Sequence, residues 1–154
     1  MDKEFIRSAI IETLRNELNT LSSAALASKL EATDENNKQE GKYDMRAQSA
    51  AYLAEGQAKL AADLAIAIEA YRTLPLLQQP TPFATVGSLV TLSHNSAKNV
   101  YFIGPTRGGL ELDIKGTPIT VITASSPVGR ELLNKKIGDT LLLGKNTWQI
   151  FEIR

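Results

Sequence analysis

Thr33 to Asp44 read TDENNKQEGKYD, four carboxylates and two lysines in twelve residues with almost no apolar side chain. Long helical patterns run up to this acidic stretch from both sides. Upstream, Ile11, Leu14, Leu18, Leu21, Ala25, Ser28 and Ala32 recur in alternating steps of three and four, and no proline or glycine interrupts residues 1–32. Such a series is the seam of a long helix packed on one partner. Downstream the rhythm resumes as Ala47, Ala50, Ala54, Gln57, Ala61, Leu64, Ile68 and Tyr71. Gly56 is the weak point of this second helix, at about 1 kcal/mol relative to alanine if it faces solvent. Pro75 cannot continue the helix and restricts its predecessor, so a stop is expected near Leu74.

Two helices joined by a short polar turn fold back as an antiparallel coiled-coil hairpin. Residues 1–74 are expected to form that arm, with the acidic tip at 33–44. The seam is large far from the turn, where Ile11 and Leu14 would lie opposite Leu64 and Ile68. It is small near the turn, where Ala25 and Ala32 would face Ala47 and Ala50, and ten alanines lie between Tyr43 and Leu74. The hairpin should therefore taper toward its tip. Some thirty residues at 1.5 Å each make an arm of about 45 Å.

Beyond LPLLQQPTPF, whose three prolines mark a linker at 75–82, the period changes. Short β-type runs follow in 83–154: VGSLVTLS (86–93), NVYFIG (99–104), PITVITA (118–124), TLLL (140–143) and WQIFEI (148–153). HNSAKN and PTRGGL read as the turns between them. One helix, SSPVGRELLNKKIG, interrupts the series: Ser126 caps it, Pro127 suits its first turn, Lys135 and Lys136 favour its C-terminal end and Gly138 closes it. The expected class is α+β: a helical arm, then a small antiparallel sheet covered by one helix.

Composition narrows the chemistry. The chain lacks cysteine and has a single histidine, His94, which excludes disulfides, thiolate sites, cysteine nucleophiles and a His-rich metal centre. Residues 1–74 hold 12 acids against 9 bases and residues 75–154 hold 5 against 8, so neither half announces a nucleic-acid surface. The start, MDKEFIRS, is charged from its second residue, and no apolar run is long enough to span a membrane. The expectation is a cytoplasmic protein without membrane contact.

The string ITASSPVGRELLNKKIGDTLLL, residues 122–143, resembles the C-terminal signature of the bacterial GreA/GreB transcript-cleavage factors. That signature runs from a strand through Ser-Pro, a small residue, a helix and basic residues to Gly-Asp. Here Asn134 stands where that family usually has glycine. KYDMRAQSAAYLAEGQAKLAADL is similar to the start of the family's second coiled-coil helix, including Glu55 and Gly56. The resemblance implies a C-terminal domain of FKBP-like fold that docks on RNA polymerase at the rim of its secondary channel. It further implies a coiled coil that reaches the catalytic magnesium, with tip acids helping to hold a second ion. The chain itself would then be no enzyme. Its only cofactor would be Mg2+ shared with the polymerase, and nucleic acid would be met only through the transcription complex. One departure is at the tip. Aligned on Tyr43 without gaps, Asn36 and Gln39 stand where the family has aspartate and glutamate; a one-residue gap restores only Glu40.

The candidate tip effectors are Asp34, Glu35, Glu40 and Asp44, and each has two readings. They hold a metal ion, or they line a solvated turn in which Asp44 complements the dipole of the second helix. Tyr43 and Arg46 are aromatic and guanidinium anchors suited to an interface, or cover the last turn of the hairpin. Ser126, Pro127 and Arg130 are candidate polymerase contacts. A hydrolytic role for Ser125 or Ser126 lacks a histidine partner. His94 is expected to be exposed, and Trp148 and Phe151 to pack on the strands. Other functions left open are a channel-binding inhibitor, an FKBP-like isomerase and an adaptor. The sequence sets no oligomeric state.

Overall fold

The computed structural model describes residues 2–33, 45–76 and 81–154. Helices α1, Lys3–Thr33, and α2, Met45–Arg72, form an N-terminal helical hairpin. Asp2 starts α1: its Oδ1 accepts the Glu4 N–H at 2.9 Å, relieving one of the unpaired donors of a helix start. Along α1, Leu14 is buried and Ile11, Leu18, Leu21 and Ala25 are half-buried, whereas the residues between them are mostly exposed. Along α2 the seam positions Gln57, Ala61, Leu64, Ile68 and Tyr71 are buried or half-buried. Two positions differ from the expected seam: Ala54 is exposed, and Ala67 is buried although it lies off the series. Gly56 is exposed with open space around it.

The chain divides into two compact units, Ile11–Glu69 and a β-rich unit that joins Met1–Ile10 to Ala70–Arg154. The ends of both helices thus belong to the β-rich unit, where Ile6, Ile10, Tyr71 and Leu74 are core residues. Arg7 ties these ends together by donating from Nη1 to the Leu74 carbonyl at 3.3 Å, and it also pairs with Glu4.

Six strands make one sheet: β1 (Leu89–His94), β2 (Ala97–Gly104), β3 (Glu111–Ile114), β4 (Thr117–Thr123), β5 (Thr140–Leu143) and β6 (Asn146–Ile153). Their order is β3-β4-β2-β1-β6-β5. Four pairings are antiparallel, as expected; β2 and β4 pair in parallel, so the sheet is mixed. The parallel pair arises because β3, absent from the expected series, takes up the chain reversal. Only four residues long and carrying Glu111 and Asp113, β3 has too short an alternation to stand out in the sequence. Its hairpin to β4 turns on Lys115 and Gly116, both at positive φ (56° and 78°) as a tight two-residue reversal requires.

Alternation along the strands produces two buried faces. On one, Val90, Leu92, Ile103, Ile122, Leu141, Trp148, Ile150 and Ile153 pack with Ala84 and Leu132. A bulge in β6 makes this possible: Thr91 pairs with Glu152 but Leu92 with Ile150, leaving Phe151 as the extra residue. The side-chain parity reverses there, so Ile153, Ile150 and Trp148 all reach the core while Phe151 stays exposed under the Lys98 ammonium, 4.7 Å from its ring centre. Expected strand packing for Trp148 is therefore observed, and for Phe151 it is not. On the other face lie Leu89, Phe102, Ile114, Ile119 and Val121, all buried. This is the side toward Tyr71, whose hydroxyl donates to the Thr106 carbonyl at 2.6 Å.

The one helix of this half, α3, spans only Pro127–Leu132. It stops earlier than expected because Asn134 takes up positive φ (64°), the left-handed position just past a helix end that glycine or asparagine favours. Lys135 and Lys136 consequently follow the helix instead of ending it. Backbone bonds from Asn134 N–H to Ala84 and from Ala84 N–H to Lys135, both 2.9 Å, fasten this exit to the segment before β1. Among the described residues no helix is long and apolar enough to cross a membrane.

Candidate functional site

The tip residues Asp34, Glu35, Glu40, Tyr43 and Asp44 lie outside the described residues, and Arg46 falls in the first turn of α2. The sites within the β-rich unit center on the junction between β4 and α3. Strand β4 ends at Thr123, and three residues later Ser126 adopts an extended backbone and caps α3. Its Oγ donates to the Thr123 carbonyl at 2.8 Å and accepts the Gly129 N–H at 3.0 Å. Its own N–H also reaches the Thr123 carbonyl at 3.0 Å. The Ser126 hydroxyl is thereby occupied in building the turn. His94, half-buried, donates from Nδ1 to the Thr147 carbonyl at 2.8 Å, and its ring lies against Trp148.

Removing the cap gives a definite expectation. Ser126→Ala leaves the Gly129 N–H without its partner and should lower unfolding stability by about 1 kcal/mol, read from the urea midpoint at unchanged slope.

Once Ser126 is committed to the cap, the residues that α3 offers outward are Pro127, Arg130 and Glu131, all exposed. With Val128 they border an open groove of about 420 Å³, closed on its other side by Tyr101 and by Leu142, Leu143 and Gly144. Pro127 and Arg130 thus share one surface, whereas Ser126 supports it from behind. The groove residues Tyr101 and Leu142 carried no functional signal in the sequence; Leu142 sits in an all-leucine run where only the strand phase tells which leucine faces out. The groove is lined by a guanidinium, a carboxylate, a proline ring and an exposed leucine. Among the described residues that line it there is no serine, cysteine or histidine.

Comparison with known proteins gives the following. No protein-family model and no curated protein matches the chain. Among solved structures it is similar to GreA factor homolog 1 of Thermus thermophilus, at 15% identity and a TM-score of 0.37 over 94% of each chain. A structure of the transcription factor Gfh1 matches at 15% identity and a TM-score of 0.38, over 96% of this chain and 90% of that one. Gfh1 of Thermus aquaticus matches at 15% identity and a TM-score of 0.36, over 92% of each.

Proposed function

We propose that this chain is a Gre-like transcription factor that binds RNA polymerase and modulates it. The reading is carried by one observation. A helical hairpin whose connecting segment bears four carboxylates is followed, in the same chain, by a β-rich unit with a Ser-Pro-initiated helix. In this reading the β-rich unit docks at the rim of the polymerase's secondary channel, using Pro127 and Arg130. The hairpin carries Asp34, Glu35 and Glu40 toward the polymerase's active site, with Asp44, Tyr43 and Arg46 beside them. The chain is an accessory factor, not an enzyme; hydrolysis of backtracked RNA belongs to the polymerase. Carboxylate oxygens suit Mg2+, which retains several waters and accepts one or two added carboxylates, so the donor set fits an ion shared with the polymerase. Held there, these carboxylates would help position an ion that could activate the attacking water in phosphodiester hydrolysis.

Asn36 and Gln39 favour a second reading, binding without cleavage, because neutral amides are poor ligands for a hard cation. Transcript cleavage by stalled complexes separates the two. Wild type is expected to stimulate cleavage and Asp34→Asn/Glu35→Gln/Glu40→Gln to lose about tenfold or more of that stimulation while still co-purifying with polymerase. Equal cleavage by both proteins removes the carboxylate mechanism. Binding with no cleavage by either selects the inhibitory reading. Failure to capture polymerase overturns both.

A further inference from the structure

Helix α2 carries an uncovered face. Tyr52, Gly56, Lys59, Asp63, Ile66 and Ala70 recur at alternating steps of four and three, which aligns them along one side of the helix. All are exposed except Ala70, which is half-buried, and they lie away from the seam of Gln57, Ala61, Leu64, Ile68 and Tyr71. Tyr52 and Ile66 are each 68% exposed, and Leu53 and Leu60 border the same stripe, also exposed. A Cβ added at Gly56 would meet no atom within 4 Å. Large apolar side chains gathered on one open stretch of helix are the kind of surface that a partner covers.

We propose that this face pairs with the same face of a second copy, antiparallel, about a two-fold axis level with Ala61. That register opposes Tyr52 to Ala70, Gly56 to Ile66 and Lys59 to Asp63 of the second copy. Each large side chain meets a small one, and each charge meets its opposite. The charges fix the choice of partner and orientation, since polar residues within a helical seam set register at a cost in stability. A parallel pairing would set Lys59 against Lys59 and Asp63 against Asp63. A shift of one heptad either way leaves both charges opposite uncharged residues. At the flanks Leu60 meets Leu60 across the axis, whereas Glu55 approaches Glu69 of the second copy, a like-charge contact that lowers affinity. This inference stands apart from the proposed activity.

The stripe runs for about 27 Å with its polar residues in the middle, so the dimer should be weak, with a Kd on the order of 10–100 µM. Sedimentation equilibrium of the full chain, from about 1 µM to about 1 mM, should show a reversible dimer spanning that range. Lys59→Asp sets carboxylate against carboxylate in both symmetry-related contacts and should raise Kd about tenfold, and Asp63→Lys should do the same with ammonium groups. The double variant Lys59→Asp/Asp63→Lys restores opposite charges and should return Kd to within about threefold of wild type. Circular dichroism of each variant at about 1 µM, where the monomer prevails, should match wild type. A chain that stays monomeric at about 1 mM overturns the proposal, as does a dimer that either single reversal leaves intact. A double variant no tighter than the single ones overturns the antiparallel register.

Discussion

Gly129→Ala should lower the stability of the β-rich unit by about 3 kcal/mol or more, enough to leave a marginal domain largely unfolded. The reason is space, not backbone conformation. A Cβ at residue 129 would lie 2.8 Å from the Thr123 carbonyl carbon, 2.9 Å from Ser126 Oγ, and against the Thr123 carbonyl oxygen itself. That oxygen already accepts both the N–H and the hydroxyl of Ser126, so it cannot swing away without undoing the cap. Relief requires lifting α3 from the end of β4, which draws the fully buried Leu132 out of the core. Urea denaturation followed by tryptophan fluorescence reads the change, since Trp148 sits in the same core. Gly56→Ala is the contrasting substitution. Gly56 has no neighbour within 4 Å of an added Cβ, so alanine there should stabilise the helical unit by about 0.5–1 kcal/mol. Destabilisation of similar size at both glycines would show that crowding at Thr123 is not the cause.

Tyr71 is the second position of large effect. Its side chain is fully buried, and its hydroxyl reaches the Thr106 carbonyl above Gly104, whose missing side chain leaves room for the phenol. Tyr71→Ala should cost about 3–5 kcal/mol through the cavity it leaves, and Tyr71→Phe about 1 kcal/mol through the lost hydrogen bond. The two substitutions also separate by pH. Burial pushes the Tyr71 phenol well above its ordinary value near 10, and the nearby Arg107 guanidinium opposes this only in part. A phenol whose ionisation is raised by folding contributes stability fully below about pH 10, and that contribution falls away as pH rises beyond it. Wild type should therefore lose its advantage over Tyr71→Phe as pH rises above about 10 in paired denaturation curves. A gap that stays constant above that pH would rule out burial of the phenol.

Much of the architecture was legible before any coordinates. Period and punctuation located both long helices, the proline-marked change of period and five of the six strands. The seam from Gln57 to Tyr71 emerged as the buried stripe of α2 because a single apolar face is a local property of sequence spacing. Ser126 and Pro127 were readable as a helix start for a similar reason: capping depends on residues no more than three apart. The acidic tip was legible only as composition, and its residues lie outside those described.

Other features depended on neighbours distant in the chain. β3 is a strand because β4 pairs with it, and the parallel pairing of β2 with β4 follows from that insertion. Whether Phe151 or Ile150 faces the core rests on a one-residue bulge against β1, which no alternation within β6 reveals. Of three consecutive leucines in β5, the one that faces out was likewise decided by the pairing with β6. The amino-acid order by itself determined where elements start, stop and turn, since those choices rest on backbone and side-chain preferences within a few residues. Partner, register and exposed edge were left to the tertiary structure, because hydrogen bonds between strands join groups that the sequence holds far apart.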